Sequence, residues 1–570
     1  MNDMKTKYSI NNTLKGAMSG ILFLTIAGLS SCNFLEFDQS TGYDSQAEVF
    51  EQFQRAENSL TQVYTYLEHD FGSIGGGMRD CATDDAHYVW SDSEVHTFNN
   101  GNWSAIHTVD DSWSSNYQGI RAANLFIQSM NEADFERYKW NTDYETWMEK
   151  AQYWVSEARF LRSFFLFELA RRYGDIPMPV DKLYTVDDIN TLGKTSFQEV
   201  MSYISTECED IAGILPDTYN NVAGKQTGRI TKGAALALRS RALLYAASPL
   251  YSEDNQQKWI DAAKAAKEVM DLNLYQLVDE EVVNNLLSKE LILERRMASS
   301  CDFEKKNFPI SFDKGNTGTC PSQNLVDAFQ TKNGYDVILT ENGFESDDPD
   351  FNLAKPYTDR DPRFYKTVLY DGAVFKNVQL DCSEGGAEGF PTVGASETGY
   401  YLRKYVMETV DLSPVEKPAI HCWVLFRYAE VLLNYAEAMN NAYGPLQTGG
   451  ELTLTALDAL NQVRVRSGMP AIEAADVPDK QSFQRKLERE KRVEFAFENQ
   501  RFWDLRRWKK GTEISQGIDG VKIVHDGDNK VYTRTKVENR TWNDKMYLYP
   551  IPMSELLKNN NLYPQNPGWN

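Results

Sequence analysis

The chain has 570 residues, of which 42% are hydrophobic and 12% aromatic, and its formal net charge is −23 at pH 7. So negative a chain is a poor partner for nucleic acid, because a polyanion is bound by clustered cations that release its counterions. A chain of this length also buries a core that does not depend on disulfides.

The N-terminal residues have the pattern of an export signal. Three lysines precede the apolar or small stretch 17–29, which is too short for a membrane-spanning helix of about 20 residues. A basic start, a short apolar core and small residues before a cleavage point are typical of a secretory signal. The ending "LSSC" resembles a bacterial lipobox, so we predict that residues 1–31 are a lipoprotein signal peptide and that Cys32 carries the lipid. A simple cleaved signal followed by an unrelated cysteine is the alternative.

Helical patterns recur along the rest of the chain, and no Pro- or Ser-rich linker divides it. Residues 32–570 are therefore predicted to form a single domain. Apolar residues at helical spacing indicate four pairs of amphipathic helices. Alanines at facing positions of the third pair permit the close approach that a tetratricopeptide-type unit requires, with a period of about 34 residues. The pairs are about 45–67 with 113–130, 150–173 with 196–214, 231–247 with 256–271, and 423–441 with 452–467.

Strand signals are few. The segment 520–538 alternates apolar and polar residues around Asp526-Gly527 and predicts a β-hairpin. The fold class is therefore mainly α, with helix-turn-helix pairs packed against a loop-rich region that contains small β-hairpins.

The cysteines after Cys32 are widely scattered. They are Cys81, Cys208, Cys301, Cys320, Cys382 and Cys422, with no C-x-x-C among them, so neither a zinc ribbon nor a redox pair is indicated. Cys301 and Cys320 bracket one loop, and a disulfide between them is an open possibility in an oxidising compartment.

Several segments resemble the SusD/RagB-like family of Bacteroidetes nutrient-binding lipoproteins, and they occur in the family's order. They are "EARFLRSFFLFELARRYGDIP" (157–177), "GRITKGAALALRSRALLYAASPLY" (228–251), "PSQNLVDAFQTKNG" (321–334), "DRDPRFYKTVLYDG" (359–372), "FRYAEVLLNYAEA" (426–438), "ALNQVRVRSGMP" (459–470), "REKRVEFAFENQRFWDLRRWKKG" (489–511) and "LYPIPMSELLKNNNLYPQNPGW" (548–569).

The resemblance implies four helix-turn-helix units that carry a loop-rich half, and a non-enzymatic role without a cofactor. It implies capture of an oligosaccharide at the outer face of the outer membrane, to which the lipid would anchor the protein. The partner would be a TonB-dependent transporter of the SusC type, on which this protein would act as a hinged lid. The family also includes members that hold peptides or glycoprotein glycans, so membership does not name the ligand.

Signatures of catalysis and metal binding are missing from the sequence. No G-x-S-x-G, H-E-x-x-H or P-loop is present. His87, His96 and His107 are 9 and 11 residues apart, which fits no ligand pattern of a helix face or a hairpin. We predict neither an enzyme nor a resident metal, and calcium on a carboxylate loop stays open.

The basic and aromatic run "RFWDLRRWKK" (501–510) is interpreted as packing rather than as a nucleic-acid patch. Glu490, Glu494 and Glu498 precede it at helical spacing and favour salt bridges along a helix face to Arg501 and Arg507. The aromatic residues in and just before this run that we predict to lie in the core are Phe495, Phe502 and Trp503.

Carbohydrate binding needs flat aromatic faces and planar polar groups, and we expect these in loops rather than on helical stripes. Segment 69–112 lacks sustained periodicity and is rich in Gly, Asp and Asn. The first candidate site is therefore Trp90 and Trp103, with Asp84, Asp85 and Asn102 as polar partners. The alternative is that either tryptophan only packs its loop onto the scaffold.

Two other segments are candidates for ligand contacts. In the family, ligand aromatics also come from the region between the third and fourth helix pairs. Here that region offers Phe303, Phe308, Phe312 and Asn316, and the loop 382–400 is a third, weaker candidate. A glycan-binding lipoprotein is the leading hypothesis, ahead of peptide or glycopeptide capture, a lipid-anchored glycoside hydrolase and an interaction scaffold built on the helix pairs.

Overall fold

Helices are the main regular secondary structure of the computed structural model, which describes residues 46–279 and 281–569. The predicted signal peptide and Cys32 lie outside these residues. The helices are α1 (Gln46–Val49), α2 (Phe53–Tyr64), α3 (Glu94–Asn99), α4 (Trp113–Glu132), α5 (Tyr144–Tyr173), α6 (Val186–Ile189), α7 (Phe197–Ala212), α8 (Lys232–Ala247), α9 (Gln256–Asp271), α10 (Asp302–Asn307), α11 (Gln323–Val326), α12 (Pro362–Thr367), α13 (Tyr428–Tyr443), α14 (Ala456–Arg466), α15 (Lys480–Glu494), α16 (Gln500–Arg507) and α17 (Met553–Lys558).

The long helices form a continuous stack. Helix α4 packs on α5, α5 on α7, α7 on α8, α8 on α9, α9 on α13, and α13 on α14. Each segment predicted as a member of a helix pair contains one of these helices, except the first, which contains α2. Helix α2 packs against α4 and α5. The tetratricopeptide-like character of the pairs stays a prediction.

Local sequence explains where these helices begin. Ser196 and Glu199 form a capping box at the start of α7, and the side chains of Thr231, Asn255 and Thr455 cap α8, α9 and α14. Such caps satisfy amide groups that the first helical turn leaves without partners. Small side chains then allow α8 and α9 to approach each other, because their alanines are buried at the contact.

The strands are short and pair only in twos within the described residues. They are β1 (Ala86–Tyr88), β2 (Leu291–Arg296), β3 (Thr319–Pro321), β4 (Ile338–Thr340), β5 (Gly343–Glu345), β6 (Val368–Leu369), β7 (Val374–Phe375), β8 (Val378–Gln379), β9 (Tyr401–Leu402), β10 (Cys422–Arg427), β11 (Ile518–Asp526) and β12 (Asn529–Glu538). The antiparallel pairs are β1 with β3, β2 with β10, β4 with β5, β6 with β9, β7 with β8, and β11 with β12.

The predicted hairpin at 520–538 is present as β11 and β12. Asp526 pairs with Asn529, and Gly527 between them has a φ of 62°, which glycine adopts without strain. The mainly α fold with small β-hairpins is therefore confirmed.

The segment 489–511 is not one helix with salt bridges along its face. Helix α15 ends at Glu494, and Phe497 and Asn499 have left-handed φ values of 61° and 66° before α16 begins. The three glutamates instead meet cations from distant parts of the chain, as Glu494 does with Arg363 and Arg427. The predicted core aromatics are buried, as expected for packing: Phe495, Phe502 and Trp503.

The cysteine pairing considered from the sequence does not form. Cys301 and Cys320 are unpaired, as are Cys81, Cys208, Cys382 and Cys422, and all six are buried. Burial raises the pKa of the thiols of Cys81 and Cys382. In the described part of the chain no helix combines the length and apolarity needed to cross a bilayer.

Candidate functional site

The loop that carries Trp90 is held beside the loop that carries Asn316. Strand β1 pairs with β3, so that Tyr88 lies opposite Thr319. The backbone N–H of Val89 continues the pairing with a 3.1 Å hydrogen bond to the carbonyl oxygen of Gly318. Two segments that are far apart in sequence therefore lie side by side at this point.

Trp90 lies where these loops meet a third one. Its indole Nε1–H donates to the backbone oxygen of Asn316 at 2.7 Å. On another side, a Cβ built at Gly394 would lie 3.5 Å from the ring of Trp90 and 3.0 Å from Ile310. The three segments proposed separately from the sequence, 69–112, 303–316 and 382–400, thus converge at this half-buried tryptophan.

Exposed groups surround this point. The side chain of Asn316 is exposed, and so are Phe390 and Val393 in the third loop. The exposed fraction of Val393, which precedes Gly394, is 87%. An aromatic ring, an amide and exposed apolar groups are thus available to a ligand.

His96 contacts the backbone of Trp90, and His87 lies beside His96 with its ring centroid 5.8 Å away. His96 Nε2 lies 3.0 Å from the carbonyl oxygen of Trp90, and its Nδ1 lies 3.9 Å from Glu538. His87 Nδ1 lies 2.9 Å from the other oxygen of the same carboxylate. The neighbouring carboxylate of Glu538 raises the pKa of His96.

Glu538 itself stays ionised. Burial alone would raise its pKa, but the charge of Arg540 and hydrogen bonds with the two histidines hold that pKa well below its usual range. The carboxylate therefore fixes two imidazoles under the loop. His107 is exposed and takes no part. Among the described residues no group of three or more His, Cys, Asp or Glu side chains is arranged to hold a metal ion.

Asp84 and Asp85 are not available to a ligand, contrary to the sequence-based expectation. Both are buried. Asp84 accepts hydrogen bonds of 3.0 and 2.9 Å from Arg501, and Asp85 accepts one of 2.7 Å from Arg492. Burial would raise the pKa of Asp84, but Arg492 and Arg501 hold it below its usual range. These carboxylates join the loop to α15 and α16.

Trp103 is likewise a packing residue. Its exposed fraction is 2%, and its ring contacts Phe98, Tyr549 and Trp569 at centroid distances of 4.8, 5.2 and 4.5 Å. The prediction that Trp103 stacks on a ligand is therefore wrong, because no ring face is left to stack on. Asn102 beside it is exposed, but no described contact joins it to Trp90.

The phenylalanines of the second candidate segment belong mainly to the core. Phe303 and Phe308 are buried, where Phe303 packs on Phe71 and Phe308 on Phe375. Both are removed from the candidate site. Phe312 is half-buried with its ring 5.0 Å from that of Phe375, so it and Asn316 are the members of this set that a ligand can reach.

The supporting residues have no distinctive sequence signal. Glu538 ends a predicted hairpin strand without any motif around it, and the spacing of His87 and His96 indicates neither a metal site nor a contact with Glu538. Gly394 has a φ of 80°, which glycine adopts without strain, and a Cβ at this position would lie 3.0 Å from Ile310, so glycine is the residue that fits there.

The chain is similar to proteins of a known family. Two family models match it: one described as "SusD family" over residues 291–569, and one described as "Starch-binding associating with outer membrane" over residues 34–244. A curated relative, SusD-like protein P2 of Formosa agariphila, is 24% identical over 501 residues, which cover 84% of this chain and 83% of the relative.

Solved structures share the fold over nearly the whole chain. A SusD-like protein of Bacteroides fragilis superposes with a TM-score of 0.75 at 26% identity, covering 92% of this chain and 98% of that one. A SusD-like carbohydrate binding protein of the same organism gives a TM-score of 0.72 at 24% identity, covering 90% and 99%. Surface glycan-binding protein A of Bacteroides fluxus gives a TM-score of 0.59 at 19% identity, and the match covers 90% of this chain and 99% of that one.

Proposed function

The chain belongs to the SusD family, and from that premise we propose that it is a surface glycan-binding lipoprotein of the outer membrane. It captures oligo- or polysaccharide and passes it to a TonB-dependent transporter of the SusC type. The family description that names starch binding and outer-membrane association supports the location and the ligand class. Cys32 is proposed as the lipid anchor that holds the body at the external face.

The observation that carries the proposal is the convergence of three loops on Trp90. An indole whose N–H edge is already bonded to the protein at 2.7 Å presents a ring of fixed orientation. A fixed, flat, apolar face suits the apolar face of a sugar ring, and little rotamer entropy is lost when the ligand binds. The exposed amide of Asn316 lies beside it for hydroxyl groups.

The burial of Asp84 and Asp85 favours binding over hydrolysis. Glycoside hydrolysis uses two carboxyl groups that flank the scissile bond. Asp84 and Asp85, the acidic pair of the candidate site expected from the sequence, are instead buried against Arg492 and Arg501 and cannot flank a sugar bond. We therefore propose that the protein holds its ligand without cleaving it.

Affinity electrophoresis through gels that contain single polysaccharides tests the binding proposal. Retardation by at least one glycan is expected, with no new reducing ends after prolonged incubation. Purification from outer membranes tests the partner, and a co-purifying transporter barrel is expected. A protein that no glycan retards, or that releases reducing ends, contradicts the proposal.

Peptide capture is a second candidate, and one observation favours it. Phe390 and Val393 expose large apolar surfaces on the loop beside Trp90, and such groups suit apolar peptide side chains. Binding of a glycan-free peptide mixture, with no retardation by glycans, would decide for this candidate.

A further inference from the structure

An open cleft of about 660 Å³ lies in the helical half of the molecule, away from the loops around Trp90. It is bounded by the segment that follows α9, by the first residue of α13 and by one face of α14. Its lining residues are Tyr275, Gln276, Leu277, Tyr428, Asp458, Asn461, Gln462 and Val465. The volume is within the range of small-molecule sites, about 300–1,000 Å³.

Helix α14 turns a polar face toward this cleft. Its lining residues are spaced three or four apart, from Asp458 to Val465, and so form one stripe along the helix. The opposite face is buried, with Leu460 and Val463 in the core. The stripe faces the cleft.

Two tyrosines supply the aromatic surface of the cleft. The rings of Tyr275 and Tyr428 are 6.5 Å apart with an interplanar angle of 31°, and both are half-buried. Tyr275 is held firmly, because its hydroxyl lies so close to Gly233 that a Cβ at that position would overlap it. Tyr275 thus has an anchored edge, and both half-buried rings keep an accessible surface.

The polar groups divide into fixed and available ones. The Asn461 amide is occupied, since it donates to the carbonyl oxygen of Ile472 at 3.0 Å and accepts from the Ile472 N–H at 2.9 Å. Gln276 and Gln462 are exposed, and within the described chain their side-chain amides make no hydrogen bond, although the backbone N–H of Gln276 donates to Lys289. An amide offers both donors and an acceptor, as a ligand with hydroxyl groups requires.

Charge restricts the ligand further. The lining contains one carboxylate, Asp458, and no cation. Asp271 also acts on Tyr428, whose pKa is raised by burial and by that carboxylate. An anionic saccharide would be repelled, whereas a neutral one meets two aromatic rings, two amides and a carboxylate acceptor.

We propose that this cleft is a second saccharide-binding site, specific for neutral sugars and separate from the site at Trp90. The inference rests on the proposed glycan-binding function and extends it, because two sites on one molecule hold a polymer chain more firmly than either alone. The two rings provide the stacking surface, and Gln276 and Gln462 bond the hydroxyl groups.

The test uses the double variant Gln276→Ala/Gln462→Ala, because both side chains are exposed and their removal leaves the fold intact. The matched control is Gln54→Ala/Gln128→Ala, two exposed glutamines on α2 and α4. Calorimetry is performed with a panel of neutral hexasaccharides: maltohexaose, cellohexaose, xylohexaose and mannohexaose. Each variant is measured alone and combined with Trp90→Ala, and melting temperatures are recorded for all.

The wild type is expected to bind two equivalents of a panel member. Trp90→Ala leaves one equivalent, and adding the two glutamine changes weakens that remaining site at least tenfold, while the control changes neither site. A single equivalent that Trp90→Ala abolishes and the glutamine variant leaves unchanged overturns the second site and leaves the proposed function standing. Binding that the glutamine variant abolishes and Trp90→Ala leaves unchanged supports the cleft and removes the Trp90 site. A wild type that binds no panel member overturns the neutral-sugar cleft, and the gels that contain single polysaccharides then decide the proposed function separately.

Discussion

The indole N–H of Trp90 donates to the carbonyl oxygen of Asn316 at 2.7 Å, across 226 residues of sequence. This bond uses the polar edge of the indole and leaves the apolar ring as the part that faces other molecules. It also joins two of the three loops that meet there, so that the ring and the exposed Asn316 amide keep a fixed relation.

Replacing Trp90 with alanine is expected to remove most glycan binding. The ring is the flat apolar surface of the candidate site, and its loss should weaken binding about tenfold or more, roughly 1.4 kcal/mol. Retardation in polysaccharide gels measures this. Trp140→Ala is the matched control, because Trp140 is 87% exposed on a different segment. Equal retardation of wild type and Trp90→Ala would exclude this tryptophan from the site.

Replacing Trp103 with alanine should change stability and leave binding intact. The side chain fills a cluster with Phe98, Tyr549 and Trp569, and truncation of a large buried aromatic residue costs about 3–5 kcal/mol. Urea denaturation measures the free energy of unfolding, and gel retardation is measured at low temperature on folded protein. A stable variant that has lost glycan binding would return Trp103 to the site.

Asp84→Asn is expected to destabilise the protein by about 2 kcal/mol, because it removes a charged acceptor shared by buried Arg501 and half-buried Arg492, which then keep only Glu513 and Asp85. Glycan retardation of the folded variant should match the wild type. Asp359→Asn is the control, since its pair with Lys332 at 2.8 Å is exposed and should contribute less than about 1 kcal/mol. If both variants lost the same small amount of folding stability, the structural role of Asp84 would be contradicted.

Glu437 should make the protein sensitive to acid. Burial would raise its pKa, but Arg507 and Lys491 lower it from 4.5 to about 2. Because the folded pKa lies below the unfolded one, the contribution is fully present above about pH 4.5 and is lost as the pH falls toward 2. It amounts to roughly 3 kcal/mol at neutral pH.

The variant Glu437→Gln tests this pH dependence. It should be less stable than the wild type at pH 7, and the difference between their free energies of unfolding should shrink as the pH falls from 4.5 to 2. Urea denaturation across that range measures it. A difference that stays constant with pH would show that the loss comes from packing and not from the charge.

Reducing agent should leave the melting temperature unchanged, since Cys301 and Cys320 are unpaired and buried with the other four thiols of the described chain. A thiol reagent should label these cysteines only after unfolding, because buried thiols are inert. A lower melting temperature in dithiothreitol would indicate a disulfide and contradict the structure.

Periodicity in the sequence was enough to locate the long helices. The stripe through Trp154, Leu161 and Leu169 predicts α5, and Gly174 marks its end. These signals are local, so they require no knowledge of the partner surfaces. Only the boundaries moved, as in α5, which begins at Tyr144 rather than near residue 150.

The sequence does not predict in the same way which loop side chains are buried. Trp90 and Trp103 occupy the same irregular segment, and nothing local distinguishes them. The difference comes from partners elsewhere: Trp103 meets Trp569, whereas Trp90 is bounded by Asn316 and Gly394. For the same reason the spacing of Glu494 suggested a helix-face bridge, while its partners are Arg363 and Arg427.

The pairing of Arg540 with Ala86 has a consequence for how the molecule acquires activity. Its guanidinium donates to the Ala86 carbonyl oxygen at 2.8 Å across 454 residues, at the first residue of the strand that leads to Trp90. Such a contact exists only when both ends of the chain are folded together, because the long loop between them must be closed. The binding surface is therefore complete only when the C-terminal hairpin is docked. Ligand binding then reports on completed folding, and a preparation can be assayed for native content by titrating it with glycan.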